Sequence, residues 1–277
     1  MKLSIAPGAS PRAPVPLARR VARVAHLVWH VARGLFILRS RFPRMEAAER
    51  RAVILSWSGH LLRILGAQVR LEGSLADAAG SMLVMNHSSW LDVYAVLASV
   101  PARFVAKAEI RNWPFVGRLT AGAGTLFIER GRSRHAHRTN GHIAGAMRDG
   151  EIIAVFPEGT TSEGDVLLPF HAALFQPAVD AAALVQPLAL RYMDTTGAPT
   201  KSAAYAGDTS LAASVWRITG EPSLTIVIDV IAGIDAAGKD RRRLARECEE
   251  AIARALRVAA PNHRARRTAS HPLAEAP

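Results

Sequence analysis

The hydrophobic pattern of the chain changes its period near residue 67. From Val21 to Leu38 apolar residues return every three or four positions, with Val21, Val24, Val28, Val31, Leu35 and Leu38 as a stripe that Leu27, Trp29, Phe36 and Ile37 broaden. That spacing predicts an amphipathic helix. A second helix is predicted over 45–65, where Ala48, Ala52, Leu55, Leu62 and Leu65 fall near one side. From Gln68 onward short apolar runs alternate with helical stretches. This predicts an α/β core of one domain, a mixed, mostly parallel sheet flanked by helices. Strands are expected at 68–72, 82–85, 103–106, 125–129, 152–156, 185–192 and 224–231. Helices are expected at 91–99, 115–121, 134–148, 172–182 and 239–258, with Gly150 stopping the third of these. In the last one Leu244, Cys248, Ile252 and Leu256 share a face, so Cys248 reads as a buried structural residue.

Four parts follow from this pattern. Residues 1–16 are a basic, proline-rich tail expected to be disordered, 17–66 an N-terminal helical membrane-associating segment, 67–260 a single α/β domain, and 261–277 a flexible tail. With 277 residues, 49% of them hydrophobic, one full core is affordable and no internal repeat or second core is visible. The first sixteen residues lack the apolar core and small-residue site of a secretory signal. A single cysteine forms no internal disulfide and suits a reducing compartment.

Charge changes the picture at the N-terminus. The formal charge is +12, and residues 1–51 hold eleven basic residues against two acids. Arginines interleaved with an apolar stripe suit a helix lying in a bilayer interface, its apolar side among acyl chains and its arginines at the phosphates of an anionic membrane surface. Spanning is not expected, because His26, His30 and Arg33 interrupt the run from Val24 to Leu38, which falls short of the roughly 20 residues a span needs. The competing expectation is that both helices pack on the domain as ordinary core helices. Nucleic acid is not an expected partner: aromatics are 6% of residues, and the charge does not sit on a recognition helix.

The candidate chemistry begins at Asn86-His87-Ser88-Ser89-Trp90-Leu91-Asp92. A carboxylate that fixes the tautomer of a histidine lets its ring take a proton from a hydroxyl. The chain has no G-x-S-x-G elbow, and Cys248 stands beside no motif, so His87 is expected to activate a substrate hydroxyl directly. The motif falls at a strand-to-helix junction. Ser88 or Ser89 is expected to cap the helix, free amides there are candidates to stabilise an oxyanion, and the His87 ring must fold back over the first turn to reach Asp92. Asn86 is a supporting residue that holds the loop or meets the reacting groups. Taken alone, the His87–Asp92 pair also fits a hydrogen bond that merely closes a helix start.

A second group of residues suits an anionic acceptor. Arg130 follows an apolar strand at its expected C-terminal end, where α/β sheets place ligands, and offers a bidentate fork. Glu158, Gly159 and Thr160 form a turn after the strand ending at Phe156. Lys107 and Arg103 are candidates for further phosphate contacts, with an ordinary solvated surface the favoured expectation for Arg103. His135 and His137 lack the spacing of a metal site, so no metal is expected, and Gly122-Ala123-Gly124 lacks the third glycine of a dinucleotide fingerprint.

These blocks carry a family resemblance. N-H-x-x-x-x-D at 86–92, G-x-x-F-I-x-R at 124–130, F-P-E-G-T at 156–160 and the proline-centred Val185-Gln186-Pro187-Leu188-Ala189 resemble, in the same order, the four blocks of the glycerolipid acyltransferase superfamily, lysophosphatidic acid acyltransferases of the PlsC type in particular. The resemblance runs from about Ser81 to Arg191. It implies a membrane-associated enzyme at the cytoplasmic face of the inner membrane. This enzyme moves an acyl group from acyl-CoA or acyl carrier protein to a lysolipid acceptor, with no further cofactor. It also implies acceptor binding by Arg130, Glu158, Gly159 and Thr160. There is one departure: Thr161 stands where the family pattern has arginine, F-P-E-G-T-R-S becoming F-P-E-G-T-T-S. Losing that charge-assisted contact resembles the branch that acylates lyso-ornithine lipid. A hydrolase would put water in place of the lipid hydroxyl, and the anion-binding residues argue against that.

Overall fold

The computed structural model describes residues 15–75, 78–128 and 133–261. Helices α1 (Leu17–Ser40) and α2 (Ala47–Leu65) form an antiparallel hairpin through a 3-10 turn at Phe42–Arg44. Reciprocal side-chain to backbone bonds between Glu46 and Glu49 start α2, and Gly66, at φ +78°, ends it. The hairpin seam is aromatic. His30 stacks between Trp57 and His60 with centroids 4.6 and 4.9 Å away, and its Nε2 lies 3.0 Å from the Trp57 carbonyl. Gly34 is required there, because a Cβ would stand 2.7 Å from the Trp57 indole nitrogen.

Among the described residues eight strands follow: β1 (Ala67–Glu72), β2 (Met82–Met85), β3 (Arg103–Lys107), β4 (Leu126–Ile128), β5 (Ile153–Val155), β6 (Leu184–Met193), β7 (Leu224–Val230) and β8 (Ile234–Asp235). They form one sheet in the order β1-β7-β6-β2-β5-β3-β4, with β8 added to β6. Strands β2 to β6 run parallel; β7 and β8 oppose β6, and β1 runs with β7. The expected mixed, mostly parallel sheet is what the chain forms. Strand alternation divides the core in two. Leu83 and Met85 of β2 join Leu188 and Leu190 of β6 under α2 and α3 (Leu91–Leu97). Met82 and Val84 face the other way, toward α5 (Ser133–Arg148), α6 (Gln176–Ala181) and α8 (Arg241–Leu256), where Cys248 is buried as expected.

Some elements differ from the pattern reading. Strand β5 is three residues long because Phe156 already leads into a turn. The expected helix at 172–182 is a 3-10 turn at Ala172–Phe175 followed by α6, since Pro177 fits only a first helical turn. The pattern missed β8 and α7 (Leu211–Thr219), the latter capped by the Ser210 hydroxyl. Helix α4 spans Val116–Gly122.

The N-terminal hairpin packs on the domain along one side, as the competing expectation had it. Arg20 and Arg23 reach from α1 to backbone carbonyls at the end of α7, Arg23 bonding those of Thr219 and Glu221 at 3.0 and 2.7 Å, and Leu38 packs on Gly122 of α4. The opposite face of α1 keeps Leu17, Val21, Val28, Trp29 and Phe36 exposed. So one side packs on the domain, and the other is an uncovered apolar stripe.

Candidate active site

The parallel strands β2, β3, β4 and β5 end at the same edge of the sheet, and the residues singled out from sequence follow those ends. His87 lies two residues beyond β2 and continues the face of Leu83 and Met85, so its side chain points toward α3, which carries Asp92. His87 Nδ1 is 2.9 Å from Asp92 Oδ2. The same oxygen accepts the backbone N–H groups of Ser88 and Ser89 at 2.8 and 2.9 Å. The other, Oδ1, accepts the Tyr192 hydroxyl at 2.5 Å. Asp92 is wholly buried, and four donors satisfy its charge. Held by a carboxylate, Nδ1 carries the hydrogen and Nε2 presents a lone pair. The ring remains 18% exposed, and Nε2 has no partner among the described residues.

Phe156 fixes the plane of that ring. Its own ring stacks on His87 with centroids 3.8 Å apart and planes 13° apart, and Phe104 stacks on its far side at 5.4 Å. Beyond Phe104 lies an apolar cavity between α1, α2, α3 and α4, lined by Trp57, Tyr94 and Leu97 among others.

The backbone of the loop is pinned from both sides. Glu158 is buried; its Oε1 accepts the His87 N–H at 2.6 Å and its Oε2 the Leu168 N–H at 2.8 Å. Burial pushes the Glu158 carboxyl up to about 7, against the opposing pull of those two amides. Asn86 bonds both backbone groups of Leu190 on β6, at 2.8 and 3.1 Å, and so closes the seam just past the end of the β2–β6 pairing. The Ser162 N–H donates to the His87 carbonyl at 2.9 Å.

Two expectations change. The residue opening α3 is Trp90, and the Ser89 hydroxyl only receives the Leu91 N–H at 3.2 Å. More consequentially, the amides expected to face an oxyanion are already committed, those of Ser88 and Ser89 to Asp92 and that of His87 to Glu158.

The remaining residues fall as follows. Gly159 turns the chain at φ +72° and leaves Thr160 exposed. The Thr161 hydroxyl donates to the Tyr205 carbonyl, and the Tyr205 N–H donates to the Ser88 carbonyl at 2.8 Å, so the segment around 205 straps the two loops together. Lys107 ends β3 beside Ile128 of β4. Arg130 lies outside the described residues, as do the side chains of His135 and His137. Arg103 begins β3 at the opposite edge and pairs with Glu151, so it has no part in this site. The pattern reading missed Tyr192 and the ring function of Phe156. Tyr192 shares a sheet face with Leu188 and Leu190, but only the pairing of β2 with β6 tells which helix it meets.

Comparison with known proteins decides the family. Residues 67–191 match the Acyltransferase family model. A 1-acyl-sn-glycerol-3-phosphate acyltransferase of Neisseria gonorrhoeae is 37% identical over 84% of this chain and 91% of its own. A lyso-ornithine lipid O-acyltransferase of Pseudomonas aeruginosa is 35% identical over 91% of this chain and 98% of its own. The chain belongs to the acyltransferase family. The fold of this acyltransferase is also that of the crystal structure of the 1-acyl-sn-glycerophosphate acyltransferase PlsC from Thermotoga maritima, with a TM-score of 0.60, 21% identity and coverage of 85% of this chain and 96% of that one. The matched region holds the His87–Asp92 pair, the Glu158 turn and the Asn86–Leu190 seam.

Proposed function

We propose that this acyltransferase moves a fatty acyl group from acyl-CoA or acyl carrier protein to the free hydroxyl of 1-acylglycerol 3-phosphate, forming phosphatidic acid in phospholipid biosynthesis. The observation that carries the reading is a histidine with Nδ1 clamped to a buried carboxylate and Nε2 free. Nε2 takes the hydroxyl proton as the oxygen adds to the thioester carbonyl carbon. The C–S bond then breaks, and the leaving thiolate recovers the proton from the imidazolium. Asp92 stabilises that imidazolium without becoming protonated. Lys107 at the end of β3 and Gly159 and Thr160 in the turn after β5, together with Arg130, receive the acceptor head group. Glu158 contributes by holding the His87 amide. The cavity beyond Phe104 has the chemistry to accept an acyl chain.

The exposed stripe of α1 supports attachment to an anionic membrane surface, and the cytoplasmic face is the side that the family resemblance implies. Length and composition alone would let α1 cross a membrane, but its packing against α2, α4 and α7 favours a helix lying in the interface.

A second reading, acylation of lyso-ornithine lipid, is favoured by Thr161. Its hydroxyl is committed to Tyr205, so no arginine serves a phosphate at that position. Detergent-solubilised protein given labelled acyl donor with both acceptors side by side, with His87→Ala as control, tests these readings. His87-dependent phosphatidic acid supports the first and His87-dependent ornithine lipid the second; no His87-dependent transfer to either sinks both.

A further inference from the structure

After β3 the chain makes a 3-10 turn at Ala108–Asn112 and then reaches Trp113-Pro114-Phe115, where α4 begins. Trp113 is 51% exposed and Phe115 is 62% exposed. Phe115 has φ +60° and ψ −52°, and the Val116 N–H reaches back to the Pro114 carbonyl at 2.6 Å. This is a γ-turn of the rare, strained hand, centred on a residue other than glycine. Two large aromatic side chains thus stand in water on a tight turn.

Their surroundings point to what covers them. Exposed Arg111 and Arg118 flank the turn in sequence, and Lys107 precedes it. Along α4, Phe115 lies ~10 Å from Gly122, against which Leu38 of α1 packs. Arg118 lines the same opening as Phe36 and Arg39 of α1, so α4, which the turn leads into, borders the uncovered apolar stripe of α1. It also follows directly on the end of β3, at the edge that carries His87. Aromatic rings interleaved with arginines match an interface of acyl chains and anionic head groups.

We infer that the Trp113-Pro114-Phe115 turn is a second bilayer contact, separate from α1, that sets the catalytic edge against the membrane surface. The inference rests on the membrane attachment proposed above. Contact at α1 alone leaves the protein free to rock about that helix. A second contact beside the β3 end removes that freedom and fixes the distance from His87 to the lipid acceptor.

The test uses the full chain with vesicles of phosphatidylcholine, with and without phosphatidylglycerol. The variant Trp113→Ala/Phe115→Gly removes both rings, and glycine adopts the φ of position 115 without strain, so its melting temperature should hold. Vesicle affinity should fall roughly tenfold. Turnover of vesicle-borne lysolipid should fall with it, while turnover of a short-chain monomeric acceptor stays unchanged. In wild type, phosphatidylcholine brominated high on its chains should quench a share of the tryptophan fluorescence that Trp113→Phe loses. Unchanged vesicle affinity overturns the inference, as does an equal fall with both acceptors. A dimer that the variant dissociates would overturn it too, by assigning the turn to self-association. The parallel variant Trp29→Ala/Phe36→Ala separates the two claims. If it alone weakens vesicle binding, only the second contact fails; if neither variant does, membrane attachment itself fails.

Discussion

Tyr192 on β6 donates its hydroxyl hydrogen to Oδ1 of Asp92 on α3, so the partner of His87 is held by a residue one hundred positions away in sequence. Both groups are buried. Burial and the adjacent negative charge raise the Tyr192 phenol well above its usual range, which keeps it a donor at every working pH. Tyr192→Phe keeps the shape and removes one of four hydrogen bonds to Asp92. With that bond gone the carboxylate is held less firmly against the His87 ring, so kcat should fall roughly tenfold with KM nearly unchanged, and stability should drop by about 1–2 kcal/mol. Steady-state kinetics and urea unfolding check this; a loss of stability with unchanged kcat would mean that Tyr192 serves packing alone.

Asn86 bonds both backbone groups of Leu190, and no other side chain of its size offers one donor and one acceptor in that arrangement. Asn86→Asp would set a carboxylate oxygen against the Leu190 carbonyl in a buried place. A loss of about 2–4 kcal/mol is expected in urea unfolding, relieved by acid as the aspartate protonates. A loss that does not shrink at low pH would contradict this account.

Glu158 gives a stability prediction with a definite sign. Its carboxyl is raised from an ordinary 4.5 to about 7 by burial. Between those values the folded chain holds one proton more than the unfolded chain, so the contribution of this group declines as pH rises through that window, by about 3 kcal/mol in all. Glutamine resembles the protonated carboxyl. Glu158→Gln should therefore gain on wild type between pH 4.5 and 7.5 in matched unfolding experiments, and a constant difference would refute the assignment.

Cys248 is packed among Leu244 and Ile252 of α8, and burial pushes its thiol up to about 12. Almost no thiolate exists near neutral pH. Native protein should resist iodoacetamide, react only at the rate at which it unfolds, and keep its transferase activity through the treatment.

How much of this was legible beforehand depended on whether the signal was local. Period alone placed α1, α2 and strands β1 to β7, because a half-buried helix and a sheet face impose their spacing on neighbouring residues. The His87–Asp92 pair was legible for the same reason: five residues span the whole contact. Helix α7 was lost because its nine residues follow a long irregular stretch without strands to frame them. Tyr192, the stacking of Phe156 and the commitment of the Ser88 and Ser89 amides were hidden for a different reason. Each depends on which strands become neighbours, and β2 lies between β5 and β6, pieces of chain some 70 and 100 residues further on. The family pattern drew attention to Glu158 as an acceptor residue, whereas its oxygens are directed at two backbone amides.

That strand order has a consequence for how the enzyme comes into being. A ribosome delivers His87 and Asp92 early, but Phe156 and Glu158 emerge some 70 residues later, and Leu190 and Tyr192 about 30 residues after those. No nascent chain shorter than β6 holds the imidazole in its working orientation. The two N-terminal helices are complete while the rest is still being synthesised, and the His87 ring is fixed only when the middle of the sheet is filled.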